Sequence, residues 1–152
     1  MTFRQAVQNT QSIAHAYRPG LQALRAADKN RVTANPRLLT GSVDLDATLR
    51  ATEPSSPRWD YAIGWNSAST KVEQICWLEI HPTRTTTHLN EVEQKFDWLI
   101  NWLSGMGREL GKMERKFICV SSGKTGFTST APQLRRLASR GLQFVGRHIR
   151  LR

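Results

Sequence analysis

The sequence predicts a mixed α/β fold: a sheet of antiparallel and parallel strands with helices on both its faces. Three observations carry this. Residues 59–65 and 75–81 each alternate in residue type with period two, and a polar loop joins them. A helical stripe of Leu89, Val92, Phe96, Leu99 and Leu103 follows. Then comes a nearly continuous apolar run, Lys116 to Ser122, which suits a strand buried on both faces in a parallel arrangement. A helix between two such strands reads as a crossover back into the same sheet.

In chain order, Phe3, Val7, Ile13 and Tyr17 lie near one helical stripe, which predicts an amphipathic helix from Thr2 to Tyr17. Pro19 and Gly20 interrupt it. A short second helix is expected from Leu21 to Asp28, then loop or irregular edge structure from Lys29 to Thr40. Gly41 opens a strand, SVDLDATL, with Val43, Leu45, Ala47 and Leu49 on one face and Asp44, Asp46 and Thr48 on the other. Residues 50–57 contain EPSSP and form a turn or loop. The hairpin comes next, and after it a long helix capped by Thr87 or a neighbouring threonine and ended by Gly105. Glu91 and Lys95, four apart, support that helix, and Ile100 widens its core stripe. Trp98 and Trp102 on its flank are read as packing against a neighbouring element. Pro132 starts a short helix, PQLRRLASR, which Gly141 stops. LQFVGRHIRLR reads as a last strand with a basic end.

The hairpin carries the chemistry. Folded about Ser69 and Thr70, it sets Asp60 opposite Glu79, Ala62 opposite Trp77 and Gly64 opposite Ile75. Small residues then face bulky ones. The other face pairs Trp59 with Ile80, Tyr61 with Leu78 and Ile63 with Cys76, and is wholly apolar. Two carboxylates directly opposite on a sheet repel, so a cation, a shared proton or solvent must offset them. If the preceding strand pairs apolar face to apolar face, Asp44, Asp46, Asp60, Glu79 and His81 all gather on one side.

Composition bounds the class. A chain of 152 residues with five tryptophans suits one globular domain, 1–152, and argues against disorder. No apolar run reaches membrane-span length, and MTFRQAVQNTQ lacks the apolar core of a secretory signal, so a cytoplasmic protein without a membrane partner is expected. Cys76 and Cys119 fall in predicted strands and read as buried reduced thiols, without the spacing of a zinc site. The formal net charge of +10 favours a polyanionic partner, with nucleic acid the commonest.

The order of elements, with Asp60 starting the second strand and Glu79-x-His81 ending the third, resembles the PD-(D/E)XK nuclease superfamily. That family's core runs helix, three strands, helix, strand, and the resemblance spans the first helix to about Ser122. It implies a restriction-endonuclease-like core and a metal-dependent nuclease that hydrolyses phosphodiester bonds with Mg²⁺ or Mn²⁺. Asp60 would be the metal-binding aspartate, Glu79 the second carboxylate and Ile80 the backbone carbonyl. His81 stands where the family usually has lysine. Some families move the lysine elsewhere, and Lys95 or Lys71 could fill that role. The first helix lacks the glutamate of many members, for which Asp44 could compensate.

Clustered carboxylates on a basic chain support the same chemistry without the resemblance, since they bind hard cations through oxygen. Arg58, Lys71, Arg84, Lys124, Arg135 and Arg136 are the candidates for holding a nucleic-acid backbone. The alternatives are a catalytically inactive protein of this fold that binds nucleic acid or a protein, and an interaction protein or homodimer using the Trp98 and Trp102 flank. SSGKTG, Ser121 to Gly126, is a polar turn after a strand. Ile118 stands where a phosphate loop needs its first glycine.

Overall fold

The computed structural model describes residues 1–123 and 131–152. Lys124 and Thr128–Thr130 lie outside the described residues, as does the second half of SSGKTG.

The first helix, α1, is shorter than its apolar stripe suggests: Phe3–Gln8. A capping box at Thr2 and Gln5 starts it. Thr10, β-branched and extended, ends the periodicity, and Ile13 reaches the core from a separate 3₁₀ turn, Gln11–Ile13. The second helix, α2, is Ala26–Lys29 alone. Where loop or edge structure is expected, β1 (Val32–Ala34) forms.

The predicted SVDLDATL strand is half strand and half helix. β2 is Leu39–Asp44, and α3 (Leu45–Leu49) follows at once. Asp44 is the pivot: its Oδ1 accepts the Ala47 N–H at 2.9 Å as an N-cap. The period-two pattern also fits a helix that buries Leu45 and Leu49, four apart.

β3 (Tyr61–Asn66) and β4 (Glu73–His81) form the hairpin in the predicted register, with Tyr61 opposite Leu78, Ala62 opposite Trp77, Ile63 opposite Cys76 and Gly64 opposite Ile75. α4 (Thr86–Ser104) is N-capped by Thr85, ends at Gly105, and buries the expected stripe together with Trp102. A short α5 (Arg108–Gly111) interrupts the Gly-rich connection. β5 (Arg115–Ser121) then pairs parallel to β4, as its apolar run demands. α6 (Pro132–Ser139) leads to β6 (Leu142–Phe144), parallel to β5.

The predicted final strand is broken at Gly146, where φ is +77°. Beyond it, β7 (Ile149–Leu151) leaves the main sheet and pairs parallel with β1. Among the described residues the main sheet is thus five-stranded, in the order β2-β3-β4-β5-β6.

Both sheet faces are buried, but not both by helices. Ala62, Ile75, Trp77, Phe117 and Cys119 pack under α1, α4 and α6. Tyr61, Ile63, Trp65, Cys76, Leu78, Ile118 and Val120 pack beneath Leu24 and the small β1–β7 sheet. The expectation of helices on both faces is corrected accordingly. Trp59 is corrected too: it precedes β3 and packs on Phe96 of α4, ring centroids 6.0 Å apart, and does not join the Tyr61 face. Cys76 and Cys119 are free and buried. Among the described residues, no helix is long and apolar enough to cross a membrane.

The small-against-bulky pairing of the hairpin is also what admits α1. A Cβ on Gly64 would stand 2.4 Å from Thr40 Oγ1 and 2.6 Å from the Phe3 ring. Gly64→Ala is expected to lower unfolding free energy by about 1–3 kcal/mol through overpacking, read from the urea midpoint. An unchanged midpoint would contradict the packing.

Candidate active site

The hairpin register brings Asp60 and Glu79 together where β3 begins and β4 ends. Each carboxylate takes over a hydrogen bond from the strand ladder. Glu79 Oε1 accepts the Asp60 N–H at 3.2 Å, and Asp60 Oδ2 accepts the Ile80 N–H at 2.9 Å. Ile80 therefore touches Asp60 through its N–H. The Asp60 carbonyl accepts the Leu45 N–H at 2.9 Å, which ties the start of α3 to the same residue.

The charge that separates the two acids comes from α4. Lys95 Nζ lies 3.3 Å from Asp60 Oδ1 and also bonds Glu79 Oε2. His81 extends the cluster, with Nδ1 3.2 Å from Glu79 Oε2 and Nε2 2.8 Å from Glu91 Oε2. A neutral imidazole has only one N–H, so both contacts are satisfied together only by the imidazolium. His88, Glu91 and Lys95 occupy one stripe of α4, at i, i+3 and i+7, and that stripe covers the end of the hairpin. Glu91 and Lys95 direct their charges to the sheet, not to each other as the i, i+4 spacing suggests.

Burial sets the electrostatics. The Glu79 side chain is 0% exposed, and those of Asp60, His81 and Lys95 keep only a narrow solvent edge. Burial, and then the neighbouring Glu79 charge, push the Asp60 carboxyl up to about 7. Burial disfavours charge on His81, but its bonds to Glu79 and Glu91 outweigh this and raise its pKa. Lys95 behaves in the same way: burial is outweighed by Glu79 and Asp60, and its pKa is raised. With His81 and Lys95 charged, the three acids of the cluster outnumber its two cations. The centre thus carries one uncompensated negative charge, which a proton on Asp60 or an added cation would neutralise.

Other sequence-predicted residues lie elsewhere. Asp44 is opposite Tyr61 in the β2–β3 register, on the sheet face away from Asp60, and caps α3. Asp46 sits in α3 and is held by Arg50 at 3.0 Å and Arg58 at 3.1 Å. Arg58, its side chain 10% exposed, also donates to the Glu53 carbonyl at 2.6 Å, so it braces a loop and leaves little to offer a phosphate. Lys71 is in the hairpin loop, at the opposite end of the strands from Asp60, with φ +60°. Arg136 is engaged by Glu93 through two bonds of 3.2 and 3.1 Å. Arg84, between β4 and α4, and Arg135 on α6 are exposed.

Glu91 was missed by sequence reasoning. Its signal was present, since it lies one turn before Lys95 on the same helical face. The Trp98 and Trp102 rings stack 6.0 Å apart, with Trp102 in the core and the Trp98 indole N–H donated to Glu53 at 3.1 Å. Packing accounts for this pair.

The centre lies at the carboxyl ends of the parallel strands β4 and β5, with His81 beside Ser121, where open α/β sheets present ligand crevices. Fold and site together define a mixed α/β protein with a buried Asp–Lys–Glu–His centre at that end of its sheet. The chain matches no protein-family model, no curated protein and no solved structure.

Two tests follow from the buried charges. Lys95→Met leaves the carboxylates facing each other, so stability at pH 8 should fall by about 3–5 kcal/mol, and by less at pH 5, where Asp60 is protonated. Equal losses at both pH values would contradict the shared charge. For the wild type, Asp60 has a folded pKa above its ordinary 3.8, so the native state binds the extra proton between pH 4 and 7. Stability should therefore decline as pH rises through that window. The raised His81 pKa adds in the same direction, since its contribution is full below 6.5 and is lost on passing the folded value. Denaturant midpoints in metal-free buffer should fall from pH 5 to pH 8, and fall less in Asp60→Asn. A midpoint that rises would refute the assignment.

Proposed function

We propose that this centre hydrolyses phosphodiester bonds of nucleic acid, in the manner of the PD-(D/E)XK nucleases that the chain resembles. The observation that carries the reading is the convergence of Asp60, Glu79 and Lys95. The lysine missing from the position of His81 reaches both carboxylates from α4, while Lys71 does not come near them.

Among the described residues, no group of three or more His, Cys, Asp or Glu side chains is arranged to hold a metal ion. A Mg²⁺-type site does not need one, because that ion typically keeps several waters and takes one or two carboxylates plus substrate phosphate. Asp60 and Glu79 supply hard oxygen donors with an excess negative charge, so the donor chemistry fits Mg²⁺ or Mn²⁺. When bound, such an ion supplies a water of lowered pKa and positive charge at the phosphate.

The chain's own groups do the rest. Lys95, with a constant charge, stabilises the negative charge that grows on the phosphate oxygens as water adds and the ester P–O bond breaks. His81, with both ring nitrogens held by carboxylates, keeps Glu79 oriented and adds positive charge. Substrate meets the centre from the partly open Asp60, Lys95 and His81 edge. The net charge of +10 supports a polyanionic substrate.

Cleavage of single- and double-stranded DNA and RNA should appear with Mg²⁺ or Mn²⁺ and vanish in EDTA. The conservative variants Asp60→Asn and Glu79→Gln should abolish it. Lys95→Ala should slow it by about 10²–10³-fold, while Lys71→Ala should leave it unchanged. Circular dichroism checks that each variant folds. Wild-type binding to nucleic acid that is salt-sensitive but without turnover would replace this reading with that of a non-catalytic binding protein.

A further inference from the structure

A second basic site lies at the opposite end of the main sheet and on its other face. There a cavity of about 280 Å³ opens between the hairpin loop, β5 and β7. Its walls include Lys116, Arg150, Arg152 and the side chains of Ser67 and Ser69 around the buried Trp65. Among the described residues, none that lines it is acidic. Among the described residues, no carboxylate pairs with Lys116, Arg150 or Arg152.

β5 of the main sheet and β7 of the small sheet bring these residues to one cavity wall. Lys116 shares the sheet face of Ile118 and Trp65, and its Nζ stands 5.8 Å from the Trp65 ring centroid. On β7, Ile149 and Leu151 point into the core, which leaves Arg150 outward and exposed. The loop contributes hydroxyl groups: Ser67 and Ser69 lie 3.2 Å apart, Oγ to Oγ, and the buried Ser67 also accepts the Thr70 N–H at 3.4 Å. The indole N–H of Trp65 donates to the Arg152 carbonyl at 3.2 Å, which fixes the chain beside the cavity. Three basic residues on the walls of one cavity, with hydroxyl donors and no acidic side chain among the lining residues, make a site of unbalanced positive potential.

We infer that this cavity is a phosphate-binding site that takes a backbone phosphate of nucleic acid, apart from the catalytic centre. Its volume suits one phosphate group and its immediate linkage, not a base stacked on Trp65, whose ring is covered. The five residue steps from Asp60 to Trp65 separate the two sites by about 17 Å along the strand. The sheet itself lies between them, so a strand held here is anchored away from the cut. The inference rests on the nucleic-acid part of the function proposed above, but not on catalysis.

The test is binding, measured in EDTA so that cleavage plays no part. Anisotropy of a labelled 20-nucleotide oligothymidylate is compared for the full-length wild type, Lys116→Gln with Arg150→Gln, and a control of equal charge loss, Arg4→Gln with Arg108→Gln. All four positions are exposed, so folding should persist. The cavity variant should bind about 10-fold more weakly at 0.1 M salt, and its salt slope should fall by roughly 0.7, for one lost single-strand phosphate contact. The control should bind within about 2-fold of wild type, as for loss of diffuse charge alone. Equal loss in both variants, or unchanged binding in the cavity variant, would overturn the site. Binding of inorganic phosphate without the oligonucleotide would overturn its assignment to a nucleic-acid backbone. Absent cleavage in the metal-containing assay, with this binding pattern intact, would instead count against the catalytic reading alone.

Discussion

The ammonium of Lys95, lodged between two buried carboxylates, is the contact on which the rest of the molecule turns. Asp60 and Glu79 are forced together by the strand register, and that register is fixed by packing elsewhere on the hairpin. Burying two acids side by side is costly unless positive charge and hydrogen-bond donors reach them. The backbone supplies two N–H groups, and α4 supplies the charge. Such a cluster is weak evidence for stability, because apolar groups of similar volume would often do as well. What it does is tie α4 to the end of the hairpin.

That constraint propagates outward. Fixing Lys95 also fixes Glu91 and His88 on the same stripe, and Glu91 captures His81. The adjoining stripe of α4 buries Phe96 against Trp59 and Phe117, its ring centroid 5.0 Å from that of Phe117. At the mouth of the centre, the Thr83 and Ser121 hydroxyls join the link after β4 to the end of β5. The polar centre and the apolar core are thus two sides of one helix placement. With Asp60 ionised the centre is one negative charge from balance, which is the physical reason to expect it to recruit a proton or a cation.

Much of this was legible in the sequence. The hairpin register followed from small residues opposing large ones, and α4 and β5 from periodicity and a continuous apolar run. The meeting of Asp60 and Glu79 followed from the same register, whereas Asp44 and Asp46 did not join them. The lysine was legible only as an alternative, because a helix stripe and a strand end are brought together by tertiary packing that no spacing rule records. Three misreadings share a cause. Alternation in SVDLDATL fits a strand or a short helix equally, and the Asp44 cap decided it. The stripe of the first helix continued past a break at Thr10. The last strand looked continuous because Gly146 leaves no mark on alternation, although it turns the chain into a second sheet. Asp46 and Arg58 also appeared free for function, since the contact between them spans a loop whose path the sequence does not reveal.

The charge relation at the centre is open to direct measurement by a carbon-detected NMR titration of the Asp60 carboxyl group in metal-free protein. A midpoint near 7 is predicted, about three units above the ordinary value, because the group shares a desolvated site with Glu79. Glu79→Gln should bring that midpoint down. A midpoint near 4 that ignores Glu79→Gln would mean the two acids do not share a buried centre, and the account built on them would fail.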